Sequence, residues 1–81
     1  MMILTCNDTI INTNSINKIY VERKLVHNGD LAYEQFFVYA DDTVISFYAC
    51  ESKARLCVDS IFDAMEEGLE TWSVKIFDEK C

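Results

Sequence analysis

The sequence predicts an α+β fold: an antiparallel sheet or half-barrel with one long helix packed across it, in the order β-β-β-β-β-α-β. Two observations carry this. The run from Ser52 to Leu69 places Ala54, Cys57, Val58, Ile61, Phe62, Met65 and Leu69 three or four apart, which stacks them on one side of a helix. Upstream of it, short β-branched and aromatic runs alternate with turn residues, the pattern of hairpin-connected strands.

Met2 to Cys6 reads as a first strand, Asn7-Asp8 as a turn, and Thr9 to Asn12 as the return. The cluster Thr13-Asn14-Ser15 makes a second turn. Ile16 to Leu25 follows as a strand. Ile19, Val21 and Leu25 share one parity, and Ile16, Lys18, Tyr20 and Glu22 the other, which looks solvated. Asn28-Gly29 tolerates positive φ and favours a tight hairpin turn. Ala32 to Tyr39 is the next strand, with Phe36 and Val38 on one face and Tyr33, Phe37 and Tyr39 on the other. Aromatic residues on both faces predict a central strand, or an outward face left for a partner. Asp41-Asp42 connects it to an antiparallel return over Thr43 to Ala49. Trp72, Val74 and Ile76 alternate with Ser73 and Lys75, predicting a half-buried final strand up to Phe77 and a loose polar tail over Asp78 to Cys81.

Within the helical run, Ser52 is placed to cap the start and Gly68 to end it in a left-handed turn. The apolar stripe then faces the sheet. Phe62→Asp is expected to unfold the chain by burying an unpaired charge.

The 81 residues suffice for one domain, residues 1–81, with one modest core. A net charge of −7, with seven basic residues, argues against direct nucleic-acid binding, which needs clustered Lys and Arg. It also argues against anionic membrane surfaces and favours solubility, or a basic partner. Neither a membrane-spanning apolar run nor a signal peptide is visible, which points to the cytoplasm. Cys6, Cys50, Cys57 and Cys81 show no C-x-x-C spacing, so they read as reduced thiols, Cys57 in the core and Cys81 at a frayed end.

The layout resembles that of uncharacterised β-meander-plus-helix proteins of Gram-positive bacteria and their prophages. The residues carrying the likeness are the strands with their aromatic return, Phe47 to Ala54, the helix end Ala64-Met65-Glu66-Glu67-Gly68, and the short last strand. The resemblance implies a pleckstrin-homology-like half-barrel or a roll. It implies no activity, no cofactor and no catalytic residue.

The residues themselves show no catalytic constellation. His27 is the single histidine and sits beside a predicted hairpin tip. No Gly-rich phosphate loop or metal-ligand spacing is present. Asp41 and Asp42 read as turn chemistry rather than a cation site. The informative polar feature is acidic: Asp59, Asp63, Glu66, Glu67 and Glu70 recur at helical spacing. They crowd the C-terminal half, where the helix dipole disfavours anions. One reading is a solvated face; the other is a contact surface for a basic patch on another protein. A second candidate surface is aromatic: Tyr33, Tyr39, Tyr48 and Trp72 exceed what one helix covers, unless the sheet curls to bury them. The first or last strand also offers an edge that a partner or a twin can extend. The expected function is therefore a non-catalytic protein-interaction module. The alternatives are a phage or mobile-element inhibitor of a nucleic-acid enzyme (anti-restriction or anti-CRISPR), and a homo-oligomeric structural protein such as a homodimer.

Overall fold

The computed structural model describes residues 1–80, Lys80 by its backbone alone; Cys81 lies outside the described residues. The elements run β1 (Met2–Leu4), β2 (Ile10–Asn12), a 3-10 turn (Thr13–Ser15), β3 (Ile19–Asn28), β4 (Leu31–Ala40), β5 (Thr43–Tyr48), α1 (Glu51–Glu66), β6 (Thr71–Ser73) and α2 (Val74–Lys80). The class is α+β, with an antiparallel sheet and one long helix across it, as the residue pattern predicts.

The strands do not form one meander. They divide into an antiparallel sheet β3-β4-β5 and a mixed sheet β2-β1-β6, in which β6 lies parallel to β1. The first strand is thus central, not an edge. The two sheets meet where the Cys6 amide donates to the Ile45 carbonyl at 2.8 Å. The turn after β1 is built by Thr5, a buried residue whose hydroxyl accepts from the amides of Asn7 and Thr9, while Asp8 takes φ 60°. Hydroxyl-to-backbone bonding of this kind replaces a ladder with a turn.

β4 is the central strand of its sheet. Phe36 and Val38 are buried on its inner face, as the alternation predicts, and Ala40, one residue past the predicted strand end, is buried too. The hairpin to β3 pairs Asn28 with Leu31, so its two central residues are Gly29 and Asp30 rather than Asn28 and Gly29. Gly29 has φ 64°, the conformation a two-residue hairpin needs at its first central position.

α1 crosses the inner face of β3-β4-β5. Its buried residues are Ala54, Cys57, Ile61 and Ala64, so the inward stripe is narrower than predicted and rotated toward Ala64. Small residues at Ala54, Cys57 and Ala64 let the helix axis come close to the sheet. Phe62, Met65 and Leu69, expected inside, lie at the rim and are 45%, 40% and 48% exposed. The expectation that Phe62→Asp unfolds the chain falls with this placement. Ile61, fully buried, holds that role instead.

The helix begins slightly earlier than predicted. Cys50 is the N-cap residue, without a side-chain cap, and Ser52 lies inside the first turn. The C-terminus follows the prediction at Gly68, which has φ 73°. The Gly68 amide donates to the Met65 carbonyl at 3.1 Å and the Leu69 amide to the Ala64 carbonyl at 3.0 Å. This is the Schellman pair, which satisfies carbonyls the helix end leaves open.

The predicted final strand over Trp72 to Phe77 is a three-residue strand followed by a helix. Val74 and Phe77 are buried and Ile76 is 55% exposed, a spacing of three instead of two. Five alternating residues cannot separate the two periods; packing does. The Phe77 ring lies 5.9 Å from Trp72 and 6.3 Å from Tyr48. The tail residues Asp78 and Glu79 belong to α2 rather than to a loose end, and Tyr48 donates to the Asp78 carboxylate at 2.9 Å.

Candidate functional site

Residues 59–81 carry seven acidic residues against two basic ones, whereas the first 58 carry seven against five. Most of the net charge therefore gathers around the end of α1 and α2. There α1, β6 and α2 enclose an open groove of about 610 Å³. Of its lining, Ala64, Trp72 and Phe77 are buried and form an apolar floor, Leu56, Leu69 and Ile76 are about half exposed beside them, and Asp59 and Asp63 of α1 with the C-cap Glu67 are the exposed carboxylates of its rim. The Trp72 indole N–H donates to the Ser60 hydroxyl at 2.9 Å, which fixes the ring against α1.

Of the five predicted carboxylates, all are exposed. Asp59, Asp63 and Glu67 line the groove; Glu66 and Glu70 do not. Glu70 is not on the helix at all, because the Schellman turn ends α1 before it, and its carbonyl accepts from the Met2 amide at 2.8 Å. The regular row of carboxylates expected from helical spacing thus breaks at Gly68. Among the described residues, the ion pairs are Arg23–Glu34, Lys24–Glu22, Arg55–Glu51 and Lys75–Asp8, and none engages the five. Ile76 and Phe77, which form the α2 wall, are hidden from sequence reasoning by the alternation that suggests a strand. The spacing of three from Val74 to Phe77 is the one signal of a helix there.

The aromatic surface differs from the expected one. Tyr39, Tyr48 and Trp72 are each 8% exposed; among the four candidates only Tyr33, at 44%, is open. Phe77 of α2 covers Tyr48 and Trp72, whereas Tyr39 is covered by its neighbours on the sheet, Tyr20, Phe37 and Lys24. The outer face of β3-β4-β5 instead carries Tyr20 stacked on Tyr39 at 5.3 Å and Phe37 against Phe47 at 5.6 Å. Lys24 lies over the Phe37 and Tyr39 rings. A hydrogen bond to the Tyr39 hydroxyl holds its ammonium above the usual lysine pKa.

The remaining candidate chemistry resolves into structure. Asp41 takes φ 51° and its carboxylate accepts from the amides of Asn17 and Lys18 at 3.1–3.2 Å, so it braces a turn. His27 is exposed on β3, opposite Ala32. Cys57 is buried with its sulfur 3.4 Å from the Ser46 hydroxyl. Burial pushes the half-buried Cys6 thiol up. The exposed Cys50 thiol lies 2.7 Å from the Ser52 hydroxyl, whose hydrogen bond, helped by the Lys53 amide, lowers its pKa. Among the described residues, no cluster of three or more His, Cys, Asp or Glu is placed to hold a metal ion, and no helix is long and apolar enough to cross a membrane.

Comparison with protein-family models, with curated proteins and with solved structures finds no match to this chain.

Proposed function

We propose that this chain is a small non-catalytic protein-interaction module, and that its site is the groove between α1 and α2. The observation that carries the reading is the pairing of an apolar floor with the carboxylate rim of Asp59, Asp63 and Glu67. The occupant it fits is a basic amphipathic helix of another protein. Apolar side chains at helical spacing reach the floor, and Lys or Arg beside them meets the rim. Because the carboxylates are exposed, their attraction steers and orients the partner more than it tightens the complex, and salt weakens it. The concentration of charge at this end of the molecule supports the same polarity of partner.

The test uses a synthetic amphipathic helix of Leu and Lys as the probe, titrated against the full chain by calorimetry. Asp63→Lys with Glu67→Lys is expected to weaken binding strongly, because the reversed charges repel a basic helix. Glu66→Lys with Glu70→Lys makes the same change in net charge outside the groove and is expected to leave most of it. Equal loss in both pairs, or no binding by the parent chain, overturns the groove as the site.

A further inference from the structure

β3 is a ten-residue edge strand of the β3-β4-β5 sheet. Its ladder to β4 closes on a two-residue turn, with Asn28 opposite Leu31. In such a hairpin the pair flanking the turn is hydrogen-bonded, and bonded pairs then alternate with unbonded ones. The even-numbered residues of β3 therefore bond to β4. Lys18 continues the series, its carbonyl accepting from the Asp41 amide at 3.0 Å. The backbone groups of Ile19, Val21, Arg23, Leu25 and His27 point the other way. Among the described residues, no other segment hydrogen-bonds to that side. A strand edge this long is a template for another strand.

The side chains along it are complementary to themselves. The centre of the strand reads Glu22-Arg23-Lys24. With a twofold axis at Arg23, antiparallel pairing of two copies sets Glu22 opposite Lys24 of the second copy, and Lys24 opposite its Glu22. These fall at unbonded positions, where facing side chains are closest. Each Lys24 already lies 3.9 Å from its own Glu22, so the pairing closes a ring of four alternating charges. Each Arg23 keeps its own Glu34 at 3.5 Å, which offsets the meeting of the two arginines. A slip of two residues along the strand sets Glu22 against Glu22 or Lys24 against Lys24. The charges thus select one register.

The same register explains apolar surface that the single chain leaves uncovered. Leu25 is 60% exposed and shares the helix-facing parity of Ile19 and Val21, which pack on the core. Beside Ile19 lies a shallow hollow of about 270 Å³, lined by Ile16, Ile19, Phe62 and Met65 among others. In the paired arrangement Leu25 of the second copy stands opposite Val21, next to this hollow. Phe62 and Met65, half exposed on α1, would then border a second chain instead of water.

We infer that two copies of this chain join through their β3 edges, antiparallel about Arg23, and merge the two three-stranded sheets into one of six strands. The inference is independent of the α1–α2 groove, which lies outside the proposed contact. Sedimentation equilibrium on the full chain tests it. The parent is expected to show a reversible monomer–dimer equilibrium. Glu22→Lys, an exposed substitution, creates a like-charge pair twice in the interface and is expected to weaken the dimer roughly tenfold or more. Adding Lys24→Glu to it is expected to restore the dimer. Arg23→Pro removes the central edge donor without taking a bond from the β3–β4 ladder, and is expected to give monomer. If circular dichroism shows that Arg23→Pro fails to fold, the Glu22 and Lys24 variants still decide. A parent that stays monomeric at every concentration overturns the inference. So does a dimer whose affinity is unmoved by Glu22→Lys, because the contact then lies elsewhere.

Discussion

Ile61 and Phe62 are neighbours in the chain with similar apolar character, yet the fold uses them differently. Ile61 is fully buried beneath α1, while Phe62 is 45% exposed at the sheet margin. Placing a carboxylate at Ile61 takes a charge out of water with no partner, which costs several kcal/mol and removes most of the stability of a chain this size. Ile61→Asp is therefore expected to abolish the cooperative urea transition. Phe62→Asp keeps its charge at the surface and is expected to cost only about 1 kcal/mol, from partial loss of buried area. Equal loss in the two variants would show that the inward stripe of α1 is misplaced. The helical period identifies this stripe in the sequence to within one position around the helix. Its final rotation depends on Ala54, Cys57 and Ala64, whose small size matters only once a sheet lies against them.

At the scale of the element, the two ends of α1 teach different lessons. Gly68 is legible because a left-handed residue after a helix has a strong local preference for glycine. Its φ of 73° carries the Schellman turn, and a methyl group in place of its hydrogen would meet no atom within 4 Å. The cost of Gly68→Ala is thus backbone strain alone, roughly 1–2 kcal/mol, part of it offset by a less flexible unfolded chain. Thermal unfolding is expected to show a lowered midpoint. An unchanged midpoint would mean that the turn relaxes out of its left-handed form. The N-terminus misleads because serine is the common capping residue, whereas here Cys50 occupies the cap and Ser52 lies within the first turn, its hydroxyl beside the Cys50 sulfur. α2 escapes the pattern for a related reason: a short run of alternating residues suits a strand locally, and only Tyr48 and Trp72 give Phe77 somewhere to go.

Across the whole molecule, Tyr48 ties β5 to α2. It is buried, and its hydroxyl donates to Asp78 at 2.9 Å. Burial pushes its pKa well above the ordinary tyrosine value of about 10. The folded chain thus holds Tyr48 neutral where the unfolded chain would ionise it. Its contribution is complete below pH of about 10 and is lost as pH rises from there toward the higher folded value. Lys24, raised by its bond to Tyr39, acts in the same direction. Urea unfolding is expected to show stability falling above pH of about 10. Tyr48→Phe is expected to shallow that fall and to cost about 1 kcal/mol at neutral pH for the lost hydrogen bond. An alkaline limb identical in the two proteins would place the titrating group elsewhere.

Local pattern alone determined that the chain is α+β, that one amphipathic helix crosses the sheet and stops at Gly68, and that acidic residues crowd its far end. These follow from side-chain period, turn preference and charge, all of which act between residues close in sequence. Between a central β4 and one with an outward face for a partner, the sheet order chose the first. The tertiary structure decided the rest: the division into two sheets, the parallel pairing of β6 with β1, the helical state of α2, and which carboxylates share a groove with Trp72 and Ile76. Those outcomes depend on contacts between segments far apart in the chain, where the free energy of burying an aromatic ring outweighs the small local preference for strand or helix.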